Sequence, residues 1–142
     1  MREIVSCAGP SAATPAGAAA GRILLVDDDF TVATIITRQL SLAGFQVAPH
    51  TASESAIGDF ADDPSAFDLA ILDRFIPSIS GGRLAFLLWQ LRPDLPIVFI
   101  SGAIDELKLT RQPGPHVRLA KPFRDVELLG AVKTLLANRA PR

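Results

Sequence analysis

The chain has a single cysteine, Cys7, and only two histidines, His50 and His116, in 142 residues. One thiol excludes an internal disulfide, and so few soft ligands argue against a zinc site. A chain this poor in cysteine suits a reducing cytoplasm. No apolar run approaches the ~18–20 residues that a membrane helix needs. No continuous apolar stretch follows the early Arg2, so a secretory signal peptide is not expected. Neither sign of charge is in excess, since 14 basic side chains meet 15 acidic ones for a net charge of −1. That balance leaves no footprint for nucleic acid and no drive toward an anionic membrane.

What the chain does have is apolar material, at 49% of residues. The length suits one domain, with roughly two-thirds of the unfolded surface buried. Residues 1–21 are rich in Ala, Gly, Pro and Ser and are expected to form a mobile low-complexity tail. Residues 22–138 are expected to form the domain, and 139–142 a short C-terminal tail.

Within the domain, short apolar runs alternate with helical periodicity. Ile23 to Val26 is continuous and apolar, which suits a strand buried on both faces. Val32, Ile35, Ile36 and Leu40 follow at helical spacing, and Gly44 suits the helix stop. Strands are further expected at Phe45–Ala48, Phe67–Leu72, Ile97–Ile100 and Val117–Ala120. Helices are expected at Ser53–Phe60, with Ala56, Ile57 and Phe60 on one face, and at Gly82–Leu91. The latter carries a stripe of Leu84, Leu87, Leu88 and Leu91, with Phe86 and Trp89 off it. A last helix is expected at Asp125–Ala137, with Leu128, Leu129, Val132, Leu135 and Leu136 inward. Between the last two strands, Ile104–Arg111 has room for only a shortened helix before Pro113-Gly114-Pro115. The pattern predicts an α/β fold: a flavodoxin-like, doubly wound parallel sheet of five strands in order 2-1-3-4-5, with helices on both faces.

In such a sheet, ligands bind at the carboxyl ends of the strands. Strand one ends in Asp27-Asp28-Asp29 and strand three in Asp73. Strand four ends in Ser101-Gly102 and strand five in Lys121-Pro122. Each has an ordinary explanation: Asp29 as a helix cap, Asp73 as a loop acid, Ser101-Gly102 as a turn, Lys121 as a surface lysine. Together, on successive strands that share one rim, they suit one chemistry. Clustered carboxylates repel, and a hard divalent cation such as Mg2+ relieves this. A carboxylate can attack phosphorus, and a metal, a lysine and a hydroxyl can neutralise the phosphoryl oxygens.

The segments ILLVDDD (23–29), FDLAILDRFIP (67–77) followed by Gly81, PIVFISGA (96–103) and LAKPF (119–123) resemble, in this order and spacing, the receiver domains of response regulators in bacterial two-component phosphorelay signalling. The resemblance covers residues 22 to about 138. It implies Asp73 as phosphoacceptor, with Ser101 as the switch hydroxyl and Lys121 as the cation that meets a phosphoryl oxygen. It implies Mg2+ as cofactor, held by Asp27, Asp28, Asp73 and the backbone carbonyl of Phe75, with Asp28 the more direct of the acidic pair. Pro122 stands where the family commonly has a cis peptide. The implied partners are a sensor histidine kinase or histidine phosphotransfer protein and a downstream target protein, with no nucleic acid and no membrane insertion. The chain would be a cytoplasmic signal receiver and not an enzyme beyond its own phosphorylation and dephosphorylation. Because it ends at Arg142, it is expected to be a stand-alone receiver that signals through its surface.

Four positions depart from the family pattern. Arg118 stands three residues before the lysine, where an aromatic is usual. Phe75 is bulky for its place beside the phosphoacceptor. Ser80 replaces a common acid before the glycine, and the fourth helix is short, as in receivers attached to hybrid kinases or in stand-alone relays. Two other readings remain open from the residues. One is a receiver-fold scaffold that is never phosphorylated. The other is an aspartate-nucleophile phosphatase resembling the haloacid dehalogenases, built on Asp27-x-Asp29-x-Thr31; it lacks a later strand-end acidic pair and leaves Asp73 without a role.

Overall fold

A computed structural model of the chain describes residues 20–102 and 113–138. Five parallel strands form one sheet in the order β2-β1-β3-β4-β5, as the alternation predicts. They are β1 (Gly21–Val26), β2 (Phe45–His50), β3 (Leu69–Asp73), β4 (Ile97–Ser101) and β5 (His116–Ala120). The described helices are α1 (Phe30–Leu42), α2 (Ser53–Asp62), α3 (Gly81–Leu91) and α4 (Asp125–Asn138), with a 3-10 turn at Pro64–Ala66. The shortened helix expected at Ile104–Arg111 and most of the expected tails lie outside the described residues. β1 begins at Gly21, one residue inside the stretch assigned to the N-terminal tail.

The central strands are buried from end to end, which is why they read as unbroken apolar runs. Their side chains alternate between two cores. Leu24, Val26, Ala70, Leu72, Ile97 and Phe99 face α2 and α3, while Ile23, Leu25, Leu69, Ile71, Val98 and Ile100 face α1 and α4. β2 runs two residues past its expected end, through Pro49. An edge strand tolerates a proline because one side of its backbone needs no partner. Gly44 adopts φ +97 just past α1, a conformation that favours glycine.

Two helices turn differently from expectation. On α3 the buried set is Leu84, Ala85, Leu88 and Trp89, while Leu91 is exposed. Trp89 therefore belongs to the core: its indole N–H donates to the Leu95 carbonyl, and its ring meets the edges of Phe99 and His116. Phe86 remains half-exposed. On α1, Ala33, Ile36 and Leu40 are inward and Ile35 faces solvent. The sequence GGRLAFLLWQL is so uniformly apolar that spacing alone does not select its inner face.

Phe60 and Phe67 are fully buried and stacked, with ring centroids 5.7 Å apart. Phe60→Ala is expected to cost about 3–5 kcal/mol of stability. Phe86→Ala, at a half-exposed site, should cost under about 1 kcal/mol. Urea denaturation followed by far-ultraviolet circular dichroism checks both.

Candidate functional site

The rim is assembled by the strand ends. The Asp27 amide donates to the His50 carbonyl at 3.1 Å, so the chain still follows β2 where it presents the Asp27 carboxylate. Asp27 is fully buried and Asp28 is exposed. Asp29 caps α1, its Oδ1 accepting from the amides of Thr31 and Val32 at 2.9 and 3.2 Å. Its own amide donates to Asp27 Oδ1 at 2.9 Å. The cap thus also steadies the buried acid.

Asp73 is the last residue of β3, between β1 and β4. It pairs with Ile100, which puts Ser101 one step further along the neighbouring strand. Ser101 is buried, and its carbonyl accepts the Lys121 amide at 2.7 Å. The Lys121 side chain then reaches back over β4. Its Nζ lies 3.1 Å from Asp27 Oδ2 and 3.4 Å from Asp73 Oδ2. The Phe75 amide donates to Asp73 Oδ1 at 3.2 Å, while the Phe75 ring stands 63% exposed. The Lys121–Pro122 peptide is cis. Asp27, Asp28, Asp73, Ser101, Lys121 and residue 75 are therefore gathered at one end of the sheet.

Two neighbouring carboxylates out of water disfavour one another's charge. Burial first, and then the charge of Asp27, push the Asp73 carboxyl from 3.8 up to about 6, against the Phe75 amide and Lys121. Burial opposes the charge on Lys121. Its hydrogen bond and attraction to Asp27, with a further pull from Asp73, outweigh this and raise its pKa. Oxygens of Asp27, Asp28 and Asp73 all lie within 4.8 Å of one another. Convergent carboxylates that lack a full complement of positive charge are a donor set that fits Mg2+.

The start of α3 abuts the same point. A Cβ on Gly81 would lie 2.0 Å from the Asp73 carbonyl oxygen, so no side chain fits there. Ser80 caps the helix by accepting from the Arg83 amide at 3.3 Å, which a serine does as well as the more usual acid. Arg118 is exposed on β5. Spacing did not single out Ser53, which is fully buried and bonds to the loop that follows Asp73. A serine beside a helix start looks like an ordinary cap, and its carbonyl partner is 26 positions away.

A family model described as the response regulator receiver domain matches residues 23–133. The chain belongs to this family. Among curated relatives, it is 30% identical over 125 residues to the transcriptional regulatory protein PrrA of Mycobacterium tuberculosis. That match covers 87% of this chain and 53% of PrrA. It is 34% identical over 119 residues to the regulatory protein VanRc of Enterococcus gallinarum, covering 81% of this chain and 49% of VanRc. The receiver thus spans about half the length of the curated relatives it matches. Among solved structures, the response regulator TrrA of Thermotoga maritima superposes with a TM-score of 0.73 at 27% identity. That match covers 80% of this chain and 97% of TrrA, whose structure is described as a complex with Mg(2+)-BeF. The sequence resemblance to receivers and the expected flavodoxin-like topology both hold.

The raised Asp73 pKa fixes a pH dependence. Folded Asp73 holds its proton more tightly than unfolded Asp73, so stability from this group is present below about pH 4 and lost as pH rises through about 6. Asp73→Asn should therefore be more stable than the parent at pH 7.5, by on the order of 1–3 kcal/mol without metal. The difference should shrink toward zero below pH 4. Urea denaturation of both proteins across this range is the check.

Proposed function

We propose that this receiver accepts a phosphoryl group from a phosphohistidine donor onto Asp73 and passes the signal to a partner protein by changing conformation. The observation that carries the reading is the convergence of Asp27, Asp28 and Asp73 within 4.8 Å, with Lys121 bonded to two of them, on a receiver fold. Residues 22–138 would form the receiving unit.

Asp27, Asp28, Asp73 and the Phe75 carbonyl would hold Mg2+, with Asp28 the most direct of the acidic pair. When bound, the ion neutralises phosphoryl oxygens and relieves the repulsion between the carboxylates. An Asp73 oxygen attacks phosphorus in line with the phosphorus–nitrogen bond of the donor. A phosphorus–oxygen bond forms, the phosphorus–nitrogen bond breaks, and the electron pair leaves with the donor imidazole. Lys121 Nζ already stands 3.4 Å from Asp73, within reach of a new phosphoryl oxygen. Ser101, at the next strand end, supplies a hydroxyl to another. The new dianion biases an equilibrium between two packings of the rim. The solved structure of TrrA, described as a complex with Mg(2+)-BeF, supports Mg2+ as an ion that a domain of this fold takes up.

The donor would be a sensor histidine kinase or a histidine phosphotransfer protein, and the receiver would act on a downstream protein. No described helix is long and apolar enough to cross a membrane. With the low cysteine content, this supports a cytoplasmic setting. The chain would turn over no substrate beyond its own phosphoryl group.

Intact mass after incubation with Mg2+ and phosphoramidate tests the reading. Wild type should take up one labile phosphoryl group, Asp73→Asn none, and Asp27→Asn less than wild type. A covalent adduct that survives Asp73→Asn but needs Asp27 would point to the phosphatase chemistry instead. No uptake from any small donor or phosphohistidine partner would point to a scaffold.

A further inference from the structure

Five polar or charged residues are buried among the described residues: Asp27, Asp73, Ser101, Arg92 and Ser53. Three belong to the rim. Arg92 is explained by its bonds to the Pro64 and Phe67 carbonyls and to Asp94. Ser53 is explained by neither.

Ser53 opens α2, and its hydroxyl donates to the Ile79 carbonyl at 2.8 Å. A serine at a helix start ordinarily serves its own backbone. Here the hydroxyl is directed to the loop between Asp73 and α3. That loop is tightly folded. The Ile79 amide donates to the Pro77 carbonyl, the Gly81 amide donates to the Arg74 carbonyl, and Ser78 sits at φ 72. Ile76 and Ile79 pack into the same apolar cluster as Ala56 and Phe60 of α2. Ser53 therefore ties down the far end of a loop whose near end is Phe75, bonded through its amide to Asp73.

A second tie joins α2 to the other buried acid. The His50 carbonyl accepts the Asp27 amide, and the His50 ring contacts Ser55 Oγ at 2.9 Å and Asp59 Oδ2 at 3.0 Å. Both Ser55 and Asp59 lie in the first two turns of α2. One stretch of helix thus holds both sides of the carboxylate cluster.

We propose that Ser53 is a positioning residue of the metal site: it fixes the loop that presents residue 75 to the ion, so the first two turns of α2 respond to whether the site is filled. This rests on the phosphorelay reading above, which takes the cluster as an Mg2+ site. It gives the domain a route from the rim to α2, through backbone carbonyls rather than through the residue at 118.

The test compares the full chain with Ser53→Ala and with Ser53→Cys, which keeps the size but is a weak donor. Mg2+ alone is titrated by calorimetry, and amide hydrogen exchange is followed without metal. Loss of one hydrogen bond predicts about fivefold weaker Mg2+ binding in both variants. It also predicts faster exchange at the Ile79 and Gly81 amides, with the Leu24 and Ile71 amides unchanged. The cysteine variant carries the test if the alanine variant does not fold. Wild-type Mg2+ affinity in the variants would overturn the role of Ser53 and leave the phosphorelay reading standing. Uniformly faster exchange at core and loop alike would overturn it too, by making Ser53 a residue of general stability. Failure of the wild type to bind Mg2+ would overturn both.

Discussion

Two carboxylates that cannot both be comfortable govern this domain. Asp27 and Asp73 are buried at the ends of neighbouring strands, and the sheet order leaves them no way to separate. Three features of the rim answer that conflict. Lys121 extends from β5 across β4 to touch both, which needs a long stem with a compact charge at its end. The Phe75 and Asp29 amides each give one carboxylate a hydrogen bond. Burial still prevails at Asp73 and holds its pKa high. The rim is thus short of positive charge, and a cation or a partner that brings one finds a place prepared for it.

Keeping that rim in place requires a rigid backbone underneath. Gly81 lets α3 begin in contact with the Asp73 carbonyl, and Ser80 closes the helix end beside it. Below the rim, the buried stretches Ile23–Val26, Leu69–Leu72 and Ile97–Ile100 carry only apolar side chains, split by alternation into one core under α2 and α3 and another under α1 and α4. Among the described residues neither apolar cluster includes a charged side chain, and the two buried acids, Asp27 and Asp73, lie where strands stop.

That separation is why so much of the site could be read from residues alone. A strand buried on both faces shows as an apolar run, and its abrupt end in Asp27 or Asp73 marks the rim. Three such runs, at β1, β3 and β4, alternate with helical spacing and with two weaker strands that become the sheet edges, and right-handed crossovers then favour the doubly wound order. Other features lay out of reach for physical reasons. The inner face of α3 is ambiguous because apolar residues surround it, so Trp89 turned inward where Leu91 was expected. The continuation of β2 through Pro49 depends on its being an edge strand, a tertiary fact. Ser53 was invisible because its partner is a main-chain carbonyl, a group that every residue has.

The single tryptophan of the chain sits at the opposite end of the sheet from the acids. Its indole is fixed to Leu95 just before β4, beside His116 at the start of β5, and Gly114 lies so close that any side chain there would strike the ring. A five-residue strand separates its two ends by about 13 Å. Intrinsic fluorescence in this protein therefore has no direct view of the rim: a quenching ion or a new dianion at Asp73 is too distant to touch the indole. Any change in emission on loading would report movement carried along the sheet, which makes Trp89 an optical probe of transmission rather than of occupancy.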